Sequence, residues 1–141
     1  TNEYAPQFAH KSIEIKLFVT RGKEMSGVLI SHGGSRVGYS LYLEEGKPVF
    51  SCRLSGALHT IRASMPLPKK RASLNATVLP DGRVTLRIDN QVVGEGKLPS
   101  LFNNNPLDPL EIGNDSQSTV VKYNTNLLFK GKINGAKLKF N

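Results

Sequence analysis

Residues 27–64 read GVLISHGGSRVGYSLYLEEGKPVFSCRLSGALHTIRAS, and this stretch decides the fold class. Apolar and polar side chains alternate in it with a period of two, which puts successive residues on opposite faces of a β-strand. Turn-forming residues divide the stretch into short pieces, and the turn Glu45-Gly46-Lys47-Pro48 indicates a hairpin. Four strands are predicted, at 27–32, 39–44, 49–54 and 58–63.

The same pattern continues toward both ends of the chain. Upstream, the segment 11–20 has Ile13, Ile15, Leu17 and Val19 on one face and polar residues on the other. Downstream, Asp89-Asn90 is a two-residue hairpin connection that suits positive φ. Further strands are predicted at 72–79, 84–88, 91–94, 110–113, 127–133 and 136–140. No segment has a helical period of 3.6, so we expect an all-β protein, an antiparallel two-sheet sandwich or barrel.

The length of 141 residues predicts one domain spanning 1–141, in which residues 1–10 form an N-terminal tail or linker remnant. The start, Thr1-Asn2-Glu3-Tyr4, is polar and carries no signal peptide, so we expect a piece of a longer protein. No apolar run reaches the roughly 18 residues that a membrane-spanning helix needs. The single cysteine, Cys52, excludes an internal disulfide and a zinc cluster built on cysteines.

The chain carries a net charge of +8, from 19 lysines and arginines against 11 acidic residues. Such a surface attracts polyanions, although the excess charge can also serve solubility alone. The cations concentrate in Lys69-Lys70-Arg71 and in Lys130, Lys132, Lys137 and Lys139 of the last strands. Those lysines either cradle sulfate or carboxylate groups or protect an edge strand from aggregation. A nucleic-acid partner is not expected, because the cations are not interleaved with surface aromatics.

Few residues carry a pattern typical of catalysis. The three histidines, His10, His32 and His59, form no local metal motif, and His32 is expected at the rim of the sandwich, beside Gly33-Gly34. Cys52 alternates with apolar neighbours and is expected to be buried as a small hydrophobic residue. No carboxylates are spaced as a glycoside-hydrolysing pair, with Glu44 placed at a hairpin turn. We therefore expect this chain not to be an enzyme.

Three stretches together resemble a known superfamily. The first is the stretch 27–64 quoted above, and the second is ATVLPDGRVTLRIDNQVVGEGKLPSLF at 76–102. The third is DPLEIGNDSQSTVVKY at 108–123, followed by FKGKINGAKLKF at 129–140. They resemble the laminin-G-like, concanavalin-A-like lectin superfamily over about residues 10–141. The closest form of this resemblance is to the C-terminal module of bacterial arylsulfatase-type sulfatases.

The resemblance implies a jelly-roll sandwich and a periplasmic or secreted parent that is a sulfuric ester hydrolase. Its catalytic sulfatase domain would lie in the same polypeptide, because Cys52-Arg53-Leu54-Ser55-Gly56 lacks the nucleophile motif Cys/Ser-x-Pro-x-Arg. Two roles compete for this chain, and an independent glycan-active enzyme is a more distant third. The chain either binds an anionic polysaccharide near the active site, or it is a structural module that packs on the catalytic domain and leaves an exposed apolar patch when isolated.

Two sets of candidate site residues follow. The candidate carbohydrate-binding residues, expected to line one exposed concave surface, are Tyr42, Arg53, His59, Arg62, Asn104 and Asp115. Tyr42 falls on the polar side of its strand and is the tyrosine expected to be exposed for stacking on a sugar. The candidate calcium ligands are Asp108, Asn114 and Asp115, in an oxygen-rich loop region whose side chains can equally cap turns. No other cofactor is expected.

Overall fold

The computed structural model describes residues 11–34, 36–100, 110–113, 120 and 128–141. Within them the chain forms ten strands. In chain order these are β1 (Ile13–Thr20), β2 (Gly27–Gly33), β3 (Gly38–Glu44), β4 (Lys47–Leu54), β5 (Ala57–Arg62), β6 (Ala72–Val78), β7 (Arg83–Ile88), β8 (Gln91–Lys97), β9 (Leu110–Ile112) and β10 (Lys132–Phe140).

The strands form two five-stranded sheets, and neighbouring strands pair antiparallel. The first sheet has the order β10-β1-β6-β7-β8, and the second has the order β5-β4-β3-β2-β9. This arrangement confirms the prediction of an all-β, two-sheet jelly-roll sandwich. In the part of the chain that the structure describes, no helix is long and apolar enough to cross a membrane.

The period-two pattern accounts for the core between the sheets. In β1, the four apolar residues at odd positions are at most 2% exposed, and they point into the sandwich. The second sheet contributes Tyr39, Leu41 and Phe50 to the same cluster. Full burial of one such apolar side chain is worth about 1.5–3 kcal/mol. Residues that alternate with these therefore lie on the outer faces of the two sheets, where the candidate sites are found.

The last strand differs from the prediction. Segments 127–133 and 136–140 were expected as two strands, but β10 runs without a break from Lys132 to Phe140. The register against β1 shifts where Phe18 pairs with Gly135 and Val19 with Ile133, which leaves Asn134 as an extra residue. A β-bulge of this kind absorbs a turn-like Asn-Gly pair without ending the strand. The hairpin at Asp89-Asn90 is confirmed, with φ of 48° and 70°.

Candidate functional site

A line of hydroxyl groups crosses the outer face of the second sheet at right angles to its strands. The register places Ser31 of β2 beside Ser40 of β3, Ser40 beside Ser51 of β4, and Ser51 beside Thr60 of β5. Glu111 of β9 continues the line on the other side of Ser31. We call these five residues the polar row. Cross-strand neighbours on one face lie about 4.5–5.5 Å apart, so their side chains can contact one another.

Hydrogen bonds connect part of the polar row to a buried tyrosine. The Tyr42 hydroxyl lies 3.0 Å from Ser51 Oγ, which lies 3.0 Å from Thr60 Oγ1. Either oxygen can be the donor in both pairs. We call this chain of three hydroxyl groups, from Tyr42 through Ser51 to Thr60, the relay. It leads from the buried Tyr42 to Thr60, which is half-buried on the edge strand β5. A hydroxyl at the end of such a relay can donate or accept, because its neighbours can reorient to match.

The middle of the outer face is covered by the chain at Val120. Val120 is buried against Val28, Tyr42 and Val49. Arg53 fixes it there, since Arg53 Nε donates to the Val120 carbonyl at 2.8 Å and Nη1 donates to the Gly56 carbonyl at 2.9 Å. The three serines of the polar row are at most 2% exposed, although they face away from the core between the sheets.

The margin of this face, along β5, stays open to solvent. Here Arg62 Nε lies 3.6 Å from Glu44 Oε1, and the two side chains are 62% and 32% exposed. The pair presents a fork of N–H donors next to a carboxylate acceptor. Together with the Thr60 hydroxyl, it forms a patch of donors and acceptors around the end of the relay. We call Glu44, Thr60 and Arg62 the margin site.

The structure brings three of the sequence-predicted site residues to one face and leaves one apart. Tyr42, Arg53 and Arg62 lie on the outer face of the second sheet. His59 is cross-strand from Cys52, a residue of the core cluster, and so lies on the opposite face. The expectation that all four line one surface is wrong for His59, because it lies three residues from Arg62 on the same strand and the two side chains therefore point to opposite faces.

The expected exposure of Tyr42 is also wrong. Its side chain faces outward as the alternation predicted, but only 5% of the residue is exposed because Val28, Val49 and Val120 pack around the ring. Burial raises the pKa of Tyr42, while the hydrogen bond from Ser51 acts in the opposite direction. Tyr42 therefore stays neutral and serves as the inner end of the relay rather than as an exposed stacking surface.

His32 is buried instead of lying at the rim. It is 0% exposed, and its Nδ1 lies 3.3 Å from the Tyr39 hydroxyl. Its ring meets those of Tyr39 and Phe140 edge-on, with centroids 5.4 and 6.1 Å apart. The rim prediction fails because His32 pairs with Tyr39, a residue of the core cluster, so the imidazole lies on the inward face of β2.

The predicted loop ligands cannot be compared with the structure. His10, Asn104, Asp108, Asn114 and Asp115 lie outside the described residues, so their roles stay predictions. Among the described residues, no group of three or more histidine, cysteine or acidic side chains is arranged to hold a metal ion.

Cys52 is confirmed as a buried, small hydrophobic residue. It is 0% exposed and belongs to the core cluster, beside Tyr39 in the register. Burial raises the pKa of its thiol to about 12. Burial also raises the pKa of Tyr39. Both groups are therefore neutral in the folded protein at pH values where the unfolded chain ionises them.

These two groups predict a loss of stability in alkali. Their contribution is fully present below the unfolded thiol pKa of 9.0, and it is lost as pH rises toward the folded value of about 12. Each group can contribute a slope of up to about 1.4 kcal/mol per pH unit. The slope of the free energy of unfolding against pH is measured by urea unfolding at a series of pH values. Cys52→Ala should remove the part of the slope that begins at pH 9.0, and an unchanged slope would contradict the assignment.

Sequence reasoning missed Glu44 and the polar row. Glu44 was assigned only to a hairpin turn, and the serines were taken as the polar half of an alternation. The signal was present in the sequence, because Ser40, Ser51 and Thr60 fall at matching distances from the turns that join their strands. Placing the hairpins side by side would have aligned the three hydroxyls.

Solved structures share this architecture. The chain is similar to laminin α1 domains LG4-5 of mouse, with a TM-score of 0.70 and 14% identity over 99% of this chain and 37% of that one. It is similar to a protein of Bacteroides ovatus described as carbohydrate-binding, with a TM-score of 0.66 and 12% identity over 98% and 39% of the two chains. A pentraxin of Limulus polyphemus aligns with a TM-score of 0.61 and 11% identity over 98% and 71%.

These comparisons show the fold alone, which is a laminin G-like β-sandwich. The sequence matches no family model and no curated protein. The chain spans 37% of the mouse and 39% of the Bacteroides chain, so it corresponds to one part of each. None of these three proteins is described as a sulfatase, and the sulfatase parentage implied by the sequence resemblance stays a prediction.

Proposed function

We propose that this chain is a non-catalytic carbohydrate-binding module whose ligand contacts the margin site. The observation that carries the proposal is the exposed Arg62–Glu44 pair beside Thr60, at the solvent end of a hydroxyl relay. Its neighbour Lys47 is also exposed, which favours an anionic sugar. The fold likeness to a protein described as carbohydrate-binding supports the same class of ligand.

The chemistry of the margin site suits a sugar that carries an acidic group. Arg62 can bind a carboxylate or sulfate with two parallel N–H donors. Glu44 accepts hydrogen bonds from neighbouring sugar hydroxyls, and Thr60 can donate or accept as the ligand requires. Arg53 supports the site indirectly, by holding the chain at Val120 against the sheet that carries these groups.

The finer proposal concerns the parent protein. In this finer proposal, the module belongs to a bacterial sulfatase-type enzyme that is periplasmic or secreted. The module positions an anionic polysaccharide near the sulfatase active site. The support is the sequence resemblance over residues 10–141. Reading the residues encoded before Thr1 tests it, because a Cys/Ser-x-Pro-x-Arg motif there would establish a sulfatase domain, and another kind of domain would refute it.

Arg62→Ala is expected to weaken disaccharide binding about tenfold or more, because one charge-assisted contact is worth about 1.5–3 kcal/mol. The measurement is calorimetric titration with sulfated, uronate-containing and neutral disaccharides at physiological salt. Arg83→Ala is a matched control, since Arg83 is 65% exposed and pairs with Asp81 at 2.8 Å, on the other sheet. An equal loss in both variants would mean that net charge alone was responsible, and this would refute the site.

A groove at one end of the sandwich favours a structural role as the second candidate. It has a volume of about 390 Å³ and includes Met65, Pro66, Pro68 and Val93 among its lining residues. Met65 is 46% exposed, as expected for a surface that packs against another domain. A folded protein that binds no disaccharide of the panel would exclude the carbohydrate-binding role and leave this one.

A further inference from the structure

The outer face of the first sheet carries a second line of side chains, and this one is cationic. Lys137 of β10 lies opposite Lys16 of β1, Lys16 lies opposite Asn75 of β6, and Asn75 lies opposite Arg87 of β7. We call these four residues the cationic row. Neighbouring strands are about 4.8 Å apart, so the row extends over about 14 Å from end to end.

The row places like charges side by side, and no described acid forms an ion pair with any of them. Like charges directly opposite each other in a sheet are destabilising. Two ion pairs are found among the described residues, Arg62–Glu44 and Arg83–Asp81, and neither includes a member of the row. The acid on β1, Glu14, lies opposite Lys139 rather than Lys137. The positive potential of the row is therefore available to a ligand.

Two further features make this face a surface that a chain could follow. Arg71 adds a cation beside the row, since Arg71 and Lys16 both lie 5.4 Å from the centre of the Phe18 ring. At the β10 end, three lysines (Lys16, Lys137 and Lys139) line an open groove of about 410 Å³, together with Leu138 and one acid, Glu14. Positive charge thus extends from a groove at one edge of the sheet across three neighbouring strands.

We propose that the cationic row binds a linear sulfated or carboxylated polysaccharide that crosses the strands. The charged positions are about one and two strand spacings apart, roughly 5 and 10 Å, which suits an extended polymer with repeated anionic groups. Asn75 within the row and Thr77 and Thr85 on the adjacent line of the same face can bond sugar hydroxyls.

The same observations disfavour a membrane surface as the ligand of this face. The aromatic side chain on this face, Phe18, is half-buried and approached by two cations, so it does not project for insertion. The cationic row and the margin site lie on opposite sheets. The inference therefore stands independently of the proposed function.

The test measures binding of the folded protein to immobilised long-chain heparin, as a sulfated polysaccharide, at increasing salt. The double variant Lys16→Gln/Lys137→Gln should bind about tenfold or more weakly at low salt, and its salt dependence should be shallower. The matched control Lys23→Gln/Lys97→Gln removes the same charge from exposed positions outside the row. It should bind within about twofold of the parent protein. Lys16→Arg/Lys137→Arg should retain binding, because it keeps the charges.

Two results would overturn the proposal. An equal loss in the control would assign binding to net charge, and equally tight binding of duplex DNA or phosphatidylserine vesicles would remove the preference for polysaccharide. The disaccharide titration separates this site from the margin site. Arg62→Ala should weaken long-chain heparin binding less than the Lys16→Gln/Lys137→Gln variant does, and that double variant should leave disaccharide binding unchanged.

Discussion

Gly27→Ala is expected to lower the free energy of unfolding by about 4 kcal/mol, because it combines backbone strain with a steric clash. Gly27 has φ of +122°, a conformation that essentially only glycine adopts. A Cβ atom at this position would lie 2.6 Å from Phe129 Cα and 2.9 Å from Phe129 N. Both are backbone atoms, which cannot rotate away as the end of a side chain could.

Gly56→Ala separates the two contributions to this loss. Gly56 also has a positive φ, +87°, but no heavy atom lies within 4 Å of the Cβ it lacks. Its substitution should therefore cost only the backbone conformation, about 1 kcal/mol. Urea unfolding of both variants gives the comparison. Equal losses would show that the steric clash with Phe129 contributes nothing to the loss at Gly27.

The contact at Gly27 also matters for the candidate site. Phe129 N donates to the Gly113 carbonyl at 3.3 Å, and Leu128 forms a parallel bridge with Val28. The chain on both sides of Val120 in sequence is thus attached to β2. Since Val120 covers the outer face of the second sheet, substitutions at Gly27 should disturb the relay between Tyr42 and Thr60 as well as stability.

The strands could be predicted from the sequence because their signal is local. Alternation in 11–20 and 72–79 places one face of each strand in the core, and the turn residues mark the ends. The strands observed in these segments are Ile13–Thr20 and Ala72–Val78, so the predicted bounds differ by at most two residues. The last strand was divided in two because a local pattern does not distinguish a turn at Asn134-Gly135 from a bulge, which only the register against β1 defines.

The candidate site could be predicted only in part because it depends on long-range contacts. Alternation put Tyr42 on the correct face, but the residue that covers it, Val120, is 67 positions away from the arginine that anchors it. His59 was grouped with Arg62 on the outer face, although alternation puts two residues three apart on one strand on opposite faces. The register against β4 shows that His59 is the one that faces inward. The ion pair of Arg62 with Glu44 likewise joins two strands that have β4 between them.

The second large effect is expected at a residue that no sequence pattern marks. Arg21 follows directly after β1 and is 6% exposed. Its Nε donates to the Leu67 carbonyl at 2.6 Å, and Nη1 donates to the carbonyls of Gly22 and Glu24 at 3.3 Å. One guanidinium thereby connects the loop between β1 and β2 to the loop between β5 and β6.

Arg21→Met is expected to lower the free energy of unfolding by about 3 kcal/mol, because the buried Leu67 carbonyl loses a charged donor. Methionine keeps much of the volume, so the loss reports the hydrogen bonds rather than a cavity. Arg21→Lys should lose less, since one ammonium group replaces part of the fork.

Arg36→Met is the control, because Arg36 is exposed and should change stability by about 0.5 kcal/mol or less. If Arg21→Met unfolded at the same urea concentration as the parent protein, the two loops would be held by their backbone contacts alone. Arg21 and Leu67 also line the groove that includes Met65. If Arg21→Met loses stability and Arg36→Met does not, the guanidinium of Arg21 holds together the two loops that form the surface proposed for domain packing.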